Sequence, residues 1–290
     1  MLNILITGGG GQLGRALAEA SRNSHNRYIT LTHNDLDICN RSGVAEVLQH
    51  HHTDVVINCA AYTDVERGED DKVQMQRINV EGVETLSAEC YKQGIKLIHI
   101  STDYVFGGDN TRTTPYREED ATAPINGYGH SKAEGERRAL NNTEAVILRT
   151  SWLYSPYNKN FCRTILRLAD REEQLRVVDD QYGTPTSALT LSRNIVAIID
   201  NGEIDKMAGI YHLTDGGYCS WYEFAQEIVR QSGKICSIEP CKSSQRITRA
   251  QRPTYSVLDT TRISRIRGIT IIDWREALSE CITEINRLCQ

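Results

Sequence analysis

The 290-residue chain has no excess of basic charge: 33 Lys and Arg stand against 38 Asp and Glu, for a net charge of −5. A nucleic-acid footprint is therefore not expected, although local arginines could still cradle the phosphate of a small anionic ligand. No apolar run approaches the ~20 residues of a membrane-spanning helix. The N-terminus carries no basic stretch followed by an apolar one, so no secretion signal is expected. None of the nine cysteines forms a CxxC pair, and the number is odd. A disulfide framework or a zinc site is thus not expected, and the thiols read as small hydrophobes of a reducing, cytoplasmic compartment. Internal repeats and low-complexity segments are also missing.

What is present is a regular alternation. Asn3 to Thr7 reads as a short buried strand, Gln12 to Arg22 as a helix, and Tyr28 to Thr32 and Val55 to Asn58 as two further strands. From Asp71 to Gln93 the apolar residues Val73, Ile78, Val83, Leu86 and Cys90 follow helical spacing, and Gly94 ends the run. Lys96 to Ile100 and Ala145 to Leu148 read as strands, with a helix from Ala133 to Leu140 between them. Strands alternating with amphipathic helices predict parallel βαβ crossovers and an open, doubly wound α/β sheet. Beyond residue 150 the rhythm loosens. Helices are expected at Phe161 to Ala169, Thr190 to Ile199, Trp221 to Gln231 and Trp274 to Leu288, with a strand at Ile210 to Thr214. The expected organisation is a dinucleotide-type domain over 1–150. A smaller, mainly substrate-binding α/β domain follows over 151–290, with some of its segments returning to the first.

The first strand runs into Thr7-Gly8-Gly9-Gly10-Gly11-Gln12-Leu13-Gly14. Two registers are readable, Gly8-x-x-Gly11-x-x-Gly14 and Gly9-x-Gly11-x-x-Gly14. Both let backbone amides approach a pyrophosphate at a helix N-terminus and let helix and strand pack closely. The alternative, a merely flexible loop, fits poorly at the first strand–helix junction of an alternating chain. A dinucleotide site also wants an acid near the end of the second strand. Asp35 and Asp37, the latter followed by Ile38, lie slightly beyond it, while Arg15 would suit a ribose phosphate. NADH and NADPH both remain open on this reading.

Tyr128-Gly129-His130-Ser131-Lys132 sets a tyrosine and a lysine four apart, on one face of a helix. A phenol with an ordinary pKa near 10 is a poor acid or base at neutral pH, and a neighbouring ammonium favours its phenolate. The spacing is common by chance. It gains weight from Ser101-Thr102-Asp103 after the fourth strand, where ligands bind in open sheets and a hydroxyl can polarise a carbonyl. Asn58-Cys59-Ala60-Ala61-Tyr62-Thr63 follows the third strand, where small residues let a cofactor lie close. The plain alternative for Thr102 is a turn residue capping a strand.

Together the glycine loop, Asn58-Cys59-Ala60-Ala61, Ser101-Thr102-Asp103-Tyr104-Val105-Phe106 and Tyr128-x-x-x-Lys132 resemble the extended short-chain dehydrogenase/reductases, with a Rossmann-type fold. Arg149-Thr150-Ser151-Trp152-Leu153-Tyr154, Asn160-Phe161, Asp180 to Thr186 and Arg252-Pro253 narrow the resemblance to the dTDP-4-dehydrorhamnose reductase group, over essentially the whole chain. The resemblance implies hydride transfer from NADPH or NADH to C4 of a dTDP-linked 4-ketosugar in polysaccharide biosynthesis. It implies Tyr128 as proton donor, Lys132 as holder of the nicotinamide ribose, and Thr102 as the group polarising the carbonyl. Gly8, Gly11, Gln12, Leu13, Gly14, Asp37, Ile38, Ala60, Ala61, Tyr62 and Asn79 would serve the cofactor. Thr63, Asp103, Tyr104, Trp152 and Arg252 would serve the substrate, the alternative for Trp152 being a core aromatic. Some members of the group dimerise through magnesium bridged by glutamates. Ala16 and Leu189 stand at two such positions and cannot ligate a hard cation, so no metal and a monomer or weak homodimer are expected. Epimerases and dehydratases of the superfamily share the Tyr–Lys pair but recycle their cofactor. Asp103 could be the acid that a dehydratase needs, and a non-catalytic regulatory subunit is the third possibility.

Overall fold

The computed structural model describes residues 1–142 and 144–289, apart from the side chain of residue 142. Five strands come first: β1 (Asn3–Thr7), β2 (Arg27–Thr30), β3 (Val55–Asn58), β4 (Lys96–Thr102) and β5 (Val146–Thr150). They join a sixth, Gly209–His212, in one parallel sheet of order 209–212, β5, β4, β3, β1, β2. The sheet is the expected doubly wound one, with its last strand drawn from far along the chain.

Alternation along the strands explains why both faces are covered. Ile4 and Ile6 of β1 point to one side, against Leu13 and Leu17 of α1 (Gln12–Ala20) and against Leu191, Ile195 and Ile198 of the helix Ala188–Asp200. Leu5 points to the other side with Val56, Leu97 and Ile147. There it meets Val44 and Leu48 of α2 (Arg41–His50) and Val83 and Leu86 of the helix Val83–Gln93. Strands buried on both faces are nearly continuously apolar, as parallel strands between helices must be. A second core gathers Tyr154, Phe224 and Trp274 among the helices Phe161–Ala169, Trp221–Ser232 and Trp274–Leu288. A parallel strand pair, Gln174–Val178 with Ser237–Cys241, lies beside it.

Three of the longer helical segments before residue 150 depart from the sequence reading, and the strand pair just described was not expected either. Helix α2 was not expected. Its start is local, since the Asn40 side chain accepts from the Gly43 amide at 3.2 Å, but its apolar stripe is short. The single helix expected over 71–93 is instead Lys72–Gln76, a π-turn over Arg77–Gly82, and Val83–Gln93. The π-turn accompanies the buried Asn79 side chain, which binds the Tyr62 backbone at both its N–H (2.8 Å) and C=O (3.1 Å). The helix expected from Ala133 begins six residues earlier, at Gly127. Asn126 accepts from the Gly129 amide and Glu69 from the Gly127 amide, capping that compensates for two glycines of low helix propensity.

That helix, Gly127–Asn142, is tied to the sheet by a buried ion pair. Arg149 of β5 meets Glu136 through Nε (2.9 Å) and a terminal nitrogen (2.7 Å), and Ser101 of β4 donates to the same carboxylate at 2.5 Å. Both charged side chains are nearly inaccessible. Removing one charge strands the other in a low-dielectric interior, so Glu136→Gln is expected to cost about 3–5 kcal/mol of stability by urea unfolding.

Candidate active site

A cleft of about 870 Å³ lies at the carboxyl ends of the strands, where open α/β sheets bind ligands. Its floor is the glycine turn, and packing rather than flexibility makes the glycines necessary there. Gly8 has φ +65°, and a Cβ on it would lie 2.7 Å from the backbone of Cys59 and Ala60. A Cβ on Gly9 would meet Thr30 Cγ2 at 2.3 Å, and one on Gly14 would meet the Gly8 carbonyl at 2.6 Å. Gly10 faces open space. No side chain caps α1 at Gly11, and Gly11, Gln12 and Leu13 line the cleft. The first-turn amides are thus left for an anionic ligand, and the turn fits a dinucleotide diphosphate.

Asp37 and Ile38 also line the cleft. Asp37 is engaged by Arg77 at 2.6 Å. Asp35 lies outside the lining, its carboxylate turned back onto the amide (2.8 Å) and hydroxyl (2.7 Å) of Thr32. Arg15 is exposed on α1 and outside the lining too.

Thr102, Tyr128 and Lys132 line the same cleft, together with Ala60 and Ala61. Lys132 is buried, and its Nζ donates to the Ile100 carbonyl at 2.7 Å. Burial pushes its ammonium down to about 8, with the Glu136 carboxylate pulling the other way. Burial also holds the Tyr128 phenol above its ordinary range, the nearby Thr102 hydroxyl pulling it down and Asp103 pushing it up. The phenol is therefore protonated throughout the neutral range. Thr102 donates to Asp103 at 3.0 Å and accepts from the Tyr104 amide at 3.2 Å. Asp103, which also accepts from Ser256 at 2.6 Å, is pushed up to about 7 by burial.

Part of the lining is aromatic. Trp152 stacks on Trp221 with centroids 3.5 Å apart, and both line the cleft with Thr63, Asp103, Tyr104 and Arg252. Trp152 has φ +44°, a conformation that bulky residues rarely adopt and that clusters at functional sites. A Cβ on Gly183 would strike its indole ring at 2.4 Å. Arg252 pairs with Glu66 at 3.0 Å, while its buried Nε has no partner. Of the residues singled out from the sequence, Tyr62 and Asn79 do not line the cleft. Asn79 acts behind it, holding the Tyr62 backbone and binding Ser131 at 2.9 Å. Sequence reasoning missed Trp221 and Lys159 in the lining. Trp221 sits inside a Ser220–Glu223 capping box, which marks a helix start and not a ligand, and Lys159 stands beside the Asn160-Phe161 motif. A second groove of about 920 Å³ on the outer side of the Gly127–Asn142 helix contains neither Thr102, Tyr128 nor Lys132.

Comparison with known proteins accords with this architecture. Residues 2–287 match the family model described as the RmlD substrate binding domain. The chain belongs to the RmlD family. It is 37% identical to the Bacillus subtilis spore coat polysaccharide biosynthesis protein SpsK, over all of both chains. To the dTDP-4-dehydrorhamnose reductase of Aggregatibacter actinomycetemcomitans it is 38% identical, over 96% of this chain and 97% of that one. The solved dTDP-4-dehydrorhamnose reductase of Bacillus anthracis in complex with NADP superimposes with a TM-score of 0.91 at 34% identity, covering 98% and 99% of the two chains. This RmlD-family chain is an NAD(P)-dependent oxidoreductase. Among its described residues no helix is long and apolar enough to cross a membrane.

The glycine turn supplies a discriminating test of packing. Gly14→Ala is expected to destabilise the protein by about 1–3 kcal/mol, because its Cβ meets backbone. Gly10→Ala should stay within about 0.5 kcal/mol of the parent. Thermal melts of the two variants read the difference.

Proposed function

We propose that this protein reduces the C4 ketone of dTDP-4-dehydro-6-deoxy-L-mannose to give dTDP-L-rhamnose. The observation that carries the reading is the convergence of Thr102, Tyr128 and Lys132 in the same cleft as a glycine turn fitted to a dinucleotide diphosphate. The substrate identity is supported by the likeness of the whole chain to reductases of that name.

When bound, the reduced nicotinamide supplies the hydride. Gly8, Gly11, Gln12, Leu13 and Gly14 would hold its diphosphate, Asp37 and Ile38 its adenosine, and Ala60, Ala61 and Lys132 its nicotinamide half. Thr102 turns its hydroxyl to the sugar carbonyl and polarises it. Tyr128 gives its phenolic proton to the oxygen as negative charge develops there, and the Lys132 ammonium stabilises the phenolate left behind. Burial keeps the phenol protonated until that moment. Trp152, Tyr104 and Thr63 enclose the sugar, and the unpartnered Nε of Arg252 is suited to a diphosphate oxygen. The segment 1–150 forms the cofactor half. The segment 151–290 supplies the substrate wall and returns Ala188–Asp200 and Gly209–His212 to the nucleotide sheet.

The adenosine end favours NADPH. Asp35 is folded back and Asp37 is neutralised by Arg77, so neither offers a free carboxylate to the ribose hydroxyls.

The test is incubation with dTDP-4-dehydrorhamnose and either reduced cofactor, following absorbance and product. Stoichiometric oxidation with dTDP-rhamnose formation, faster with NADPH, is expected; conversion without net oxidation would sink the reductase reading. Tyr128→Phe should lower kcat by about 10²–10⁴-fold with cofactor affinity nearly intact. Activity should also fall as pH rises through about 8, because the Lys132 ammonium is lost there.

A further inference from the structure

Behind Lys132 runs a buried polar chain that the proposed reaction does not use. Thr7 at the end of β1, Asn58 at the end of β3 and His99 within β4 are each inaccessible to solvent or nearly so. Thr7 Oγ1 donates to Asn58 Oδ1 at 2.6 Å, Asn58 Nδ2 meets His99 Nδ1 at 3.0 Å, and His99 Nε2 meets Lys132 Nζ at 3.3 Å.

The order of donors in this chain is set by a group that cannot rotate. The Ala60 backbone N–H donates to Asn58 Oδ1 at 3.2 Å, so the oxygen of that amide faces Ala60 and Thr7. Its nitrogen therefore faces His99 and donates to Nδ1. A neutral imidazole that accepts at Nδ1 carries its proton on Nε2. His99 is neutral, since burial, and then the Lys132 charge, hold it well below the usual histidine range. The Nε2–H is thus aimed at Lys132 Nζ. An amine can accept that proton, and an ammonium cannot.

We infer that His99 is a positioning residue for Lys132: the Thr7–Asn58–His99 chain fixes the imidazole tautomer, and the imidazole N–H, which the ammonium cannot accept, turns the donors of Nζ toward the Ile100 carbonyl and opposes the charged form. The inference rests on the reading of Lys132 as part of the reducing site. The other groups facing Nζ leave this role to His99. Glu136, on the same helix, is already paired with Arg149 of β5. The Cys59 thiol after β3 is kept neutral, pushed up to about 12 by burial. Tyr128, one turn back, is a neutral phenol, and the Ile100 carbonyl accepts from either form of the lysine. A lysine held this way is charged at neutral pH yet close to release.

The test does not require turnover, so it stands or falls apart from the substrate assignment. In the full chain labelled with ¹⁵N-histidine, His99 should appear as the neutral Nε2–H tautomer from pH 6 to 9; an Nδ1–H tautomer or an imidazolium overturns the inference. In the ¹³C-lysine-labelled protein, Lys132 should titrate near 8. His99→Leu removes the opposing N–H and should raise that midpoint by about one pH unit. His99→Gln, whose amide can present an N–H at the same place, should hold it near the parent value and retain more activity. An unmoved midpoint in His99→Leu, with only a lower melting temperature, would mean that His99 is purely structural.

Discussion

Everything at the reducing end of the cleft depends on how closely the Gly127–Asn142 helix lies against its neighbours. A Cβ on Gly129 would fall 2.1 Å from the Tyr104 carbonyl, and one on Gly135 would fall 2.2 Å from the Asn79 carbonyl. Only glycine permits that approach. The Glu136–Arg149 pair then holds the helix by its middle to β5, with Ser101 of β4 on the same carboxylate. Tyr128 and Lys132 are one turn apart on this helix, so fixing it fixes both against Thr102 at the end of β4. The close approach at two glycines and the buried ion pair place the helix, and the Lys132 Nζ–Ile100 carbonyl bond ties its reacting face to β4.

The electrostatics follow from the same burial. A phenol, an ammonium and a carboxyl line the same cleft, and desolvation opposes the charged form of each. Tyr128 stays protonated, Lys132 is brought toward neutrality, and Asp103 is pushed up to about 7. The site is accordingly poised around proton transfer at near-neutral pH rather than around a permanent ion pair. The aromatic part of the lining needs no such poise. Trp152, Trp221 and the partly unpaired Arg252 provide shape and a single fixed charge.

Much of this was legible in the residues alone, and the misses have physical causes. The strands β1, β3, β4 and β5 are apolar runs bounded by breakers, and they were readable to within two residues. Helix α2 was missed because its buried stripe is only Val44 and Leu48, too thin to register as periodicity. The start of the Tyr128 helix was misplaced because Gly127 and Gly129 argue against a helix locally. Its first amides are capped by Asn126 and by Glu69, 58 residues away, and a contact of that separation leaves no local signal. Tyr62 and Asn79, which the resemblance gave to the cofactor, lie outside the cleft lining, and Asn79 pins the Tyr62 backbone.

The sequence by itself determined the parallel alternating architecture, the glycine turn, and the four-residue spacing of Tyr128 and Lys132. These rest on periodicity and on backbone sterics, both local. The motifs after residue 150 also carried the family. Only the tertiary structure decided that Gly209–His212 returns to complete the sheet, that Asp35 and Asp37 are both engaged, that Trp221 backs Trp152, and that His99 stands behind Lys132. All but the local Asp35–Thr32 turn are pairings between segments distant in the chain. Which partner a buried polar group finds is a property of the packed interior.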